Sequence, residues 1–218
     1  KTFTDYQEFV KVYADLICAA QEFVRSVNSG ERSAASLRDV ARCVKIFRWF
    51  GEHFARVFGS QEKWTLQDFF GIKPVAHARI RQAVFMSIAY CYHARLGREL
   101  RKGLREQLEA TWKELQKPIG NYWGQAEYGE RCQWLRLSEK AFNDEVRKVE
   151  KDFVRNMTVP TGIAMNEALC ENLFMILVSV LNRIPIFVVG KPGSSKSLAM
   201  GLIQSNLNGE NSDNAFLR

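Results

Sequence analysis

At 218 residues and 46% hydrophobic content the chain has the length for one or two domains and enough apolar material for a substantial core, which excludes a disordered chain. Its 31 basic and 24 acidic residues leave a net charge of +7, too small a surplus to argue for a nucleic-acid partner. The five cysteines (Cys18, Cys43, Cys91, Cys132, Cys170) are scattered and form no C-x-x-C pair, so neither a disulfide framework nor a zinc site is supported, and a reducing compartment fits best.

Apolar residues from Tyr6 through Phe9, Tyr13, Leu16, Ala20 and Val24 to Val27 recur at three- and four-residue steps, which predicts an amphipathic helix over residues 3–27, ended by Asn28-Ser29-Gly30. A second helix is expected after Ser36, with Asp39 near its positive end and Leu37, Val40, Val44, Phe47, Phe54 and Phe58 as its buried face. Gly59 stops it. A connector over 60–73 leads to a third helix from Pro74 to about Leu96, and a fourth, rich in charge, from Arg98 to about Lys117 with Leu100, Leu104, Leu108, Trp112 and Leu115 as its seam. Pro118, Gly120, Gly124 and Gly129 break the next stretch, which carries Tyr122, Trp123, Tyr128 and Trp134. A fifth helix is expected over about 138–156 and a sixth over about 166–181, separated by the turn Thr158-Val159-Pro160-Thr161-Gly162. The longest apolar run, Leu173 to Leu181, has nine residues including one serine, against roughly 20 for a bilayer span, so no transmembrane segment is expected.

Past this helical part the pattern changes. Pro185-Ile186-Phe187-Val188-Val189 is a short apolar run of the kind that forms a strand buried on both faces. Gly190-Lys191-Pro192-Gly193-Ser194-Ser195-Lys196-Ser197 follows, and then a helical pattern from Lys196 to Leu207 that puts Leu198, Ala199, Leu202, Ile203 and Leu207 on one face. Strand, glycine-rich turn and helix in that order are the context of a phosphate-binding loop. In such a loop the amides of Gly193 to Ser197 and the positive helix end hold phosphate, Lys196 reaches the β and γ phosphates, and Ser197 is the Mg²⁺ ligand. Ser195 stands where G-x-x-x-x-G-K-[ST] has its second glycine, and a Cβ there crowds a backbone conformation that glycine takes freely. Only 21 residues follow Ser197, whereas a nucleotide-hydrolysing domain needs roughly 150 more, so the chain reads as a piece of something larger, in agreement with Lys1 as its first residue.

Other clusters carry less. Arg95, Arg98, Arg101, Lys102 and Arg105 align at helical spacing, but Glu99, Glu106 and Glu109 interrupt them, and a solvated helix face is the simpler reading. His53, His77 and His93 stand apart from any ligand spacing and read as structural or surface residues. In Ser36-Leu37-Arg38-Asp39-Val40-Ala41-Arg42 the two arginines project to one side of a helix start, either to grip an anion on a neighbouring surface or as surface residues of a capped helix with an Arg–Asp pair.

This last pattern resembles the sensor-2 helix in the α-helical lid of AAA+ ATPases of the dynein and midasin type. The segments Pro160 to Leu169, Glu171 to Phe174 and Ile184 to Ala199 closely resemble the mysterin family of giant AAA+ proteins that are also RING-type E3 ubiquitin ligases, a family that shares the Ser195 departure. The resemblance is strong over 158–200 and weaker over 36–50. It implies a mainly α chain: an AAA+ lid over 1–60, a lid extension and linker over 61–157, and over 158–218 the first strand, P-loop and helix of the next α/β AAA+ domain. It implies ATP and Mg²⁺ as cofactors, with Gly190, Gly193, Ser194, Ser195, Lys196, Ser197 and Leu198 around the phosphates, Ile163 and Ala164 at the adenine, and Arg38 as sensor 2 on the preceding module's nucleotide. Neighbouring AAA+ modules of the same chain are the implied partners, and a ubiquitin-conjugating enzyme and substrates meet other, zinc-bearing domains, in the cytosol or on lipid droplets. No catalytic residue falls within these 218 residues, and the fragment alone is expected to be inactive. A purely mechanical dynein- or midasin-type ring, or an interaction module with a non-hydrolysing loop, are the alternatives.

Overall fold

The computed structural model describes residues 2–57, 73–117, 132–155, 157–207 and 209, which divide between two compact units, 1–146 and 147–218. The described residues are mainly helical, with α1 (Thr2–Ser26), α2 (Leu37–Val57), α3 (Lys73–Ile88), α4 (Arg98–Leu115), α5 (Glu139–Arg155), α6 (Glu167–Leu181) and α7 (Lys196–Asn206). Most of the connector expected over 60–73, the glycine-broken stretch with Tyr122, Trp123 and Tyr128, and Phe58 lie outside the described residues, as does the side chain of Phe54.

In the first unit the three- and four-residue spacing of α1 does what it predicts. Phe9, Val12, Tyr13, Leu16, Ile17, Ala20 and Val24 are all buried, and the rings of Phe9, Tyr13 and Phe47 pack with centroids 5.0 to 5.8 Å apart. Helix α4 lies against α1, and Gly103 permits the approach: a Cβ there would stand 2.9 Å from Cζ of Phe23. The buried side of α2, however, is rotated from the one expected. Leu37 is 84% exposed and Val44 42%, while Asp39, Cys43, Ile46, Phe47 and Phe50 face inward against α3. Hydrophobicity alone ranks Leu37 and Val44 above Asp39 and Cys43, and polar contacts reverse that ranking.

Those contacts are specific. Inside the bundle the Tyr13 hydroxyl lies 2.7 Å from Ser87 Oγ and 3.4 Å from Cys43 Sγ, and Ser87 donates to the Val84 carbonyl at 2.8 Å, so α1, α2 and α3 share one small polar cluster. Burial raises the Tyr13 phenol, and the adjoining Cys43 sulfur together with burial raises the Cys91 thiol, which keeps both protonated at neutral pH. Helix α3 runs on into a π turn over Ala89–His93, all of it buried, closed by the Ala94 amide on the Ala89 carbonyl at 2.9 Å.

At the start of α2, Asp39 is 8% exposed and accepts from the Ser36 amide at 2.8 Å and from Ser36 Oγ at 3.2 Å, the returning arm of a capping box. Arg95 at 3.3 Å and Arg42 at 3.6 Å complete its shell. The loop before it is held from behind by Gln21 on the Ser36 carbonyl at 2.9 Å and by Arg25, whose Nε and Nη2 reach the Ala35 carbonyl at 3.0 and 2.6 Å.

The second unit contains α6, α7 and the end of α5. Leu169, Leu173, Phe174, Ile176 and Leu177 of α6 face Ala199, Leu202 and Ile203 of α7, and Phe153 meets Phe174 edge-on at 5.4 Å. Leu198, expected on the same face, is 39% exposed, whereas Asn206 at the end of the helix is buried. Asn166 caps α6 by accepting from the Leu169 amide at 2.9 Å. The far end of α6 is a Schellman turn: the Arg183 amide donates to the Val180 carbonyl at 3.0 Å and the Ile184 amide to the Ser179 carbonyl at 2.9 Å, with Arg183 left-handed at φ 53°. After that turn, Ile184–Gly190 runs without a ladder partner among the described residues, so the expected strand buried on both faces is not confirmed. Ile184, Ile186 and Val188 are half-buried, whereas Phe187 and Val189 are 91% and 92% exposed. An alternation of this kind is the period of an extended segment with one face covered.

Asp39→Ala removes the acceptor shared by Ser36 and Arg95, and should lower the unfolding free energy by about 1–3 kcal/mol. Arg42→Ala, which deletes only a half-exposed partner, should change it by less than about 0.5 kcal/mol. Urea denaturation of the two variants checks the contrast, and equal losses would show that Asp39 acts only through the ion pair.

Candidate functional site

Why residues 190–197 turn as they do follows from two left-handed positions. Gly193 has φ 80° and Ser195 φ 57°, ψ 20°, so the motif position that generally holds glycine does require the glycine region here, and a serine occupies it. Between them Ser194 closes the turn, its amide 3.3 Å and its Oγ 2.8 Å from the Lys191 carbonyl. The Ala199 amide bonds the Ser195 carbonyl at 2.9 Å, which begins α7.

Lys196 folds back over the loop. Its Nζ donates to the carbonyls of Gly190 and Lys191, each at 2.8 Å, and to Ser194 Oγ at 3.0 Å. The ammonium therefore sits at the mouth of the turn, beside the amino end of α7, where cationic side chain and helix dipole add in favour of an anion. Gly190 is part of this geometry: a Cβ on it would come within 2.8 Å of Ser194 Oγ and 3.8 Å of Lys196 Cδ. Ser197 is exposed on the first turn of α7, and Leu198 beside it is 39% exposed. Lys196 and Ser197 are the residues that would hold a nucleotide phosphate and its Mg²⁺, and an ammonium and a hydroxyl at a helix start are donors of the chemistry such a group takes.

The other expected site residues fall elsewhere. Ile163 and Ala164 lie in the turn before α6, following Gly162 at φ 90°; Ile163 is half-buried and bonds the Pro160 carbonyl at 3.4 Å, and Ala164 is exposed. Arg38 is in the first unit, on the first turn of α2, exposed and without a hydrogen bond or ion pair to the described residues. Three arginines of the basic stripe make contacts within the unit, while Arg98 and Lys102 are exposed. Arg101 caps the carbonyls of Leu96 and Ala94 at 2.8 and 3.2 Å, Arg105 pairs with Glu139 at 2.6 Å and meets His93 Nε2 at 3.0 Å, and Arg95 holds Asp39 and the Ala34 carbonyl. His77 stacks on Trp134 at 4.9 Å. No three metal-ligating side chains gather among the described residues, and no helix there is long and apolar enough to cross a membrane.

Two asparagines absent from the motif reading shape this region. Asn172 on α6 donates to the Ser194 carbonyl at 2.9 Å. Asn206, 6% exposed, clasps Thr158 at two points, accepting from its amide at 2.7 Å and donating to its carbonyl at 2.9 Å. A polar residue on the buried side of a helix was the available signal for Asn206; Asn172 lies in the segment Glu171 to Phe174 that carries the family resemblance, with no role assigned to it.

With the geometry in place, sequence comparison adds lineage. Residues 162–218 match the family described as the RNF213 AAA domain. Over 199 residues, 91% of this chain, it is 34% identical to mouse (Mus musculus) "E3 ubiquitin-protein ligase RNF213" and 31% identical to the human (Homo sapiens) protein of that name. It is 29% identical over 88% of its length to "E3 ubiquitin-protein ligase rnf213-beta" of Danio rerio. The chain spans about 3% of the length of each of these relatives.

Ser195→Gly should be tolerated and raise the unfolding free energy by up to about 1 kcal/mol, because relief at positive φ exceeds the added freedom of the unfolded chain. Ser195→Val, β-branched at the same φ, should lower it by about 1–2 kcal/mol. Thermal melts of both variants test the backbone assignment, and the reverse order would refute it.

Proposed function

We propose that this chain, a relative of RNF213 (mysterin) along 91% of its length, is a segment of the AAA+ core of an E3 ubiquitin ligase that binds ATP with Mg²⁺ at Gly190–Leu198 and passes nucleotide state between adjacent modules. The observation that carries this reading is the ammonium of Lys196 gathered onto the loop carbonyls at the amino end of α7. Exchange of those carbonyls and of Ser194 Oγ for phosphate oxygens replaces hydrogen bonds from the ammonium to neutral acceptors with bonds to an anionic one, which adds charge–charge attraction. Gly193 and Ser195 supply the turn, Ser197 the hydroxyl for Mg²⁺, and Ile163 and Ala164 a small apolar contact for the adenine. Arg38 acts as a sensor on the nucleotide of the preceding module, a role for which an exposed guanidinium on a braced helix start is suited. Residues 1–60 serve in this reading as that module's lid, 61–157 as its extension, and 158–218 as the opening of the next module. Ubiquitin transfer, with its zinc-bearing domains, conjugating enzyme and substrates, belongs to other parts of the whole protein, in the cytosol or on lipid droplets. The relatives' names favour this over a purely mechanical ring.

Lys196→Ala in the full-length protein, with its other nucleotide sites silenced, should cut ATP turnover by roughly 10²-fold or more. An unchanged rate rejects the site. On this reading the acidic Mg²⁺ partner and the water-positioning group belong to other parts of the whole protein, so the 218-residue chain alone should show no steady turnover; turnover that Lys196→Ala abolishes would contradict the division of labour.

Arg38→Ala should weaken nucleotide retention in the preceding module by about 1.5–3 kcal/mol, the range for a hydrogen bond to a charged group, with the melting temperature nearly unchanged. Titration of labelled ATP beside a thermal melt separates the cases. Unaltered affinity marks a surface arginine, and a joint loss of affinity and stability marks a brace.

A further inference from the structure

We infer that Asn172 is a positioning residue for the phosphate loop: by holding the Ser194 carbonyl it aims the Ser195 amide at the bound anion and lets a serine occupy the left-handed position. The inference rests on the nucleotide-binding reading above and extends it to a residue outside the motif. Asn172 Nδ2 lies 2.9 Å from the Ser194 carbonyl oxygen, and since that oxygen only accepts, the side-chain nitrogen must face it. Asn172 is half-buried in the second turn of α6, a helix fixed to α7 through Leu173, Leu177, Leu202 and Ile203, so the donor stands on a rigid base. The peptide joining Ser194 to Ser195 is planar and trans, which makes its N–H antiparallel to its C=O. Fixing the carbonyl toward α6 therefore points the Ser195 amide the opposite way, and that amide donates to no described residue.

Without the anchor this peptide plane has reason to rotate. Ser195 at φ 57° is in a region that non-glycine residues enter only at a cost of order 1 kcal/mol, and a flip of the 194–195 peptide is the cheapest relief. The same flip would withdraw the amide from the anion. Helix α6 thus stabilises the one loop conformation that its sequence disfavours.

The experiment measures MgATP affinity at this site in the full-length protein for wild type, Lys196→Ala, Asn172→Leu, Ser195→Gly and the double variant Asn172→Leu/Ser195→Gly, with melting temperature followed in parallel. Leucine keeps the size of asparagine, introduces no charge and favours the helix, so folding is preserved. Asn172→Leu should weaken MgATP about five- to tenfold, the equivalent of one hydrogen bond, at an unchanged melting temperature. In the Ser195→Gly background, where the left-handed turn carries no Cβ penalty, the same change should cost less than about twofold. If Lys196→Ala abolishes binding but Asn172→Leu leaves it intact, the positioning role is overturned and the site stands. An equal loss in both backgrounds, accompanied by a lower melting temperature, makes Asn172 structural only and also overturns it. If Lys196→Ala has no effect, the phosphate site itself is rejected and the role of Asn172 falls with it.

Discussion

A lysine ammonium drawn onto two backbone carbonyls organises the second unit. For Nζ of Lys196 to reach Gly190 and Lys191 at 2.8 Å, the chain must reverse within a few residues, and that reversal takes positive φ at Gly193 and at Ser195. Once the turn is made, α7 starts at Lys196 and its apolar side falls on α6. The positions of Asn172, Asn206 and Thr158 follow from that packing. A loop this dependent on a few bonds is well suited to respond to an anion, because the cation that shapes it is the one that would turn to the phosphate.

The first unit solves a different problem, that of satisfying the polar groups at the helix ends of a bundle. Arginines that a linear reading lines up as a stripe are distributed among three internal tasks: Arg95 closes the shell of Asp39, Arg101 caps the end of the preceding helix, and Arg105 joins His93 to Glu139. Each satisfies acceptors that would otherwise be left unpaired at a helix end or beneath one. Arg38 and Arg48 on α2 differ in facing solvent without a hydrogen bond or ion pair to the described residues.

The identity of 31–34% to the mouse and human proteins extends over 199 aligned residues and so takes in residues of both units, although the chain is about 3% of those proteins' length. Phe187 and Val189 stay exposed on an extended segment that has no ladder partner among the described residues.

What the sequence by itself determined was local. Helix spans were legible because a 3.6-residue period needs only near neighbours, and the turn over 190–197 was legible because glycine spacing, the following lysine and the left-handed demand at residue 195 are all written within eight positions. The α2 face was misread, with Leu37 and Val44 outside and Asp39 and Cys43 inside, because Arg95, Tyr13 and Ser87, which favour the polar pair, come from distant parts of the chain. Tertiary structure alone decided that Asn172 meets Ser194, 22 residues on in the chain, since nothing in the spacing of two polar residues says that two helices will pack and bring them within 2.9 Å. A hydrogen bond between distant segments exists only after the apolar faces that carry it have found each other.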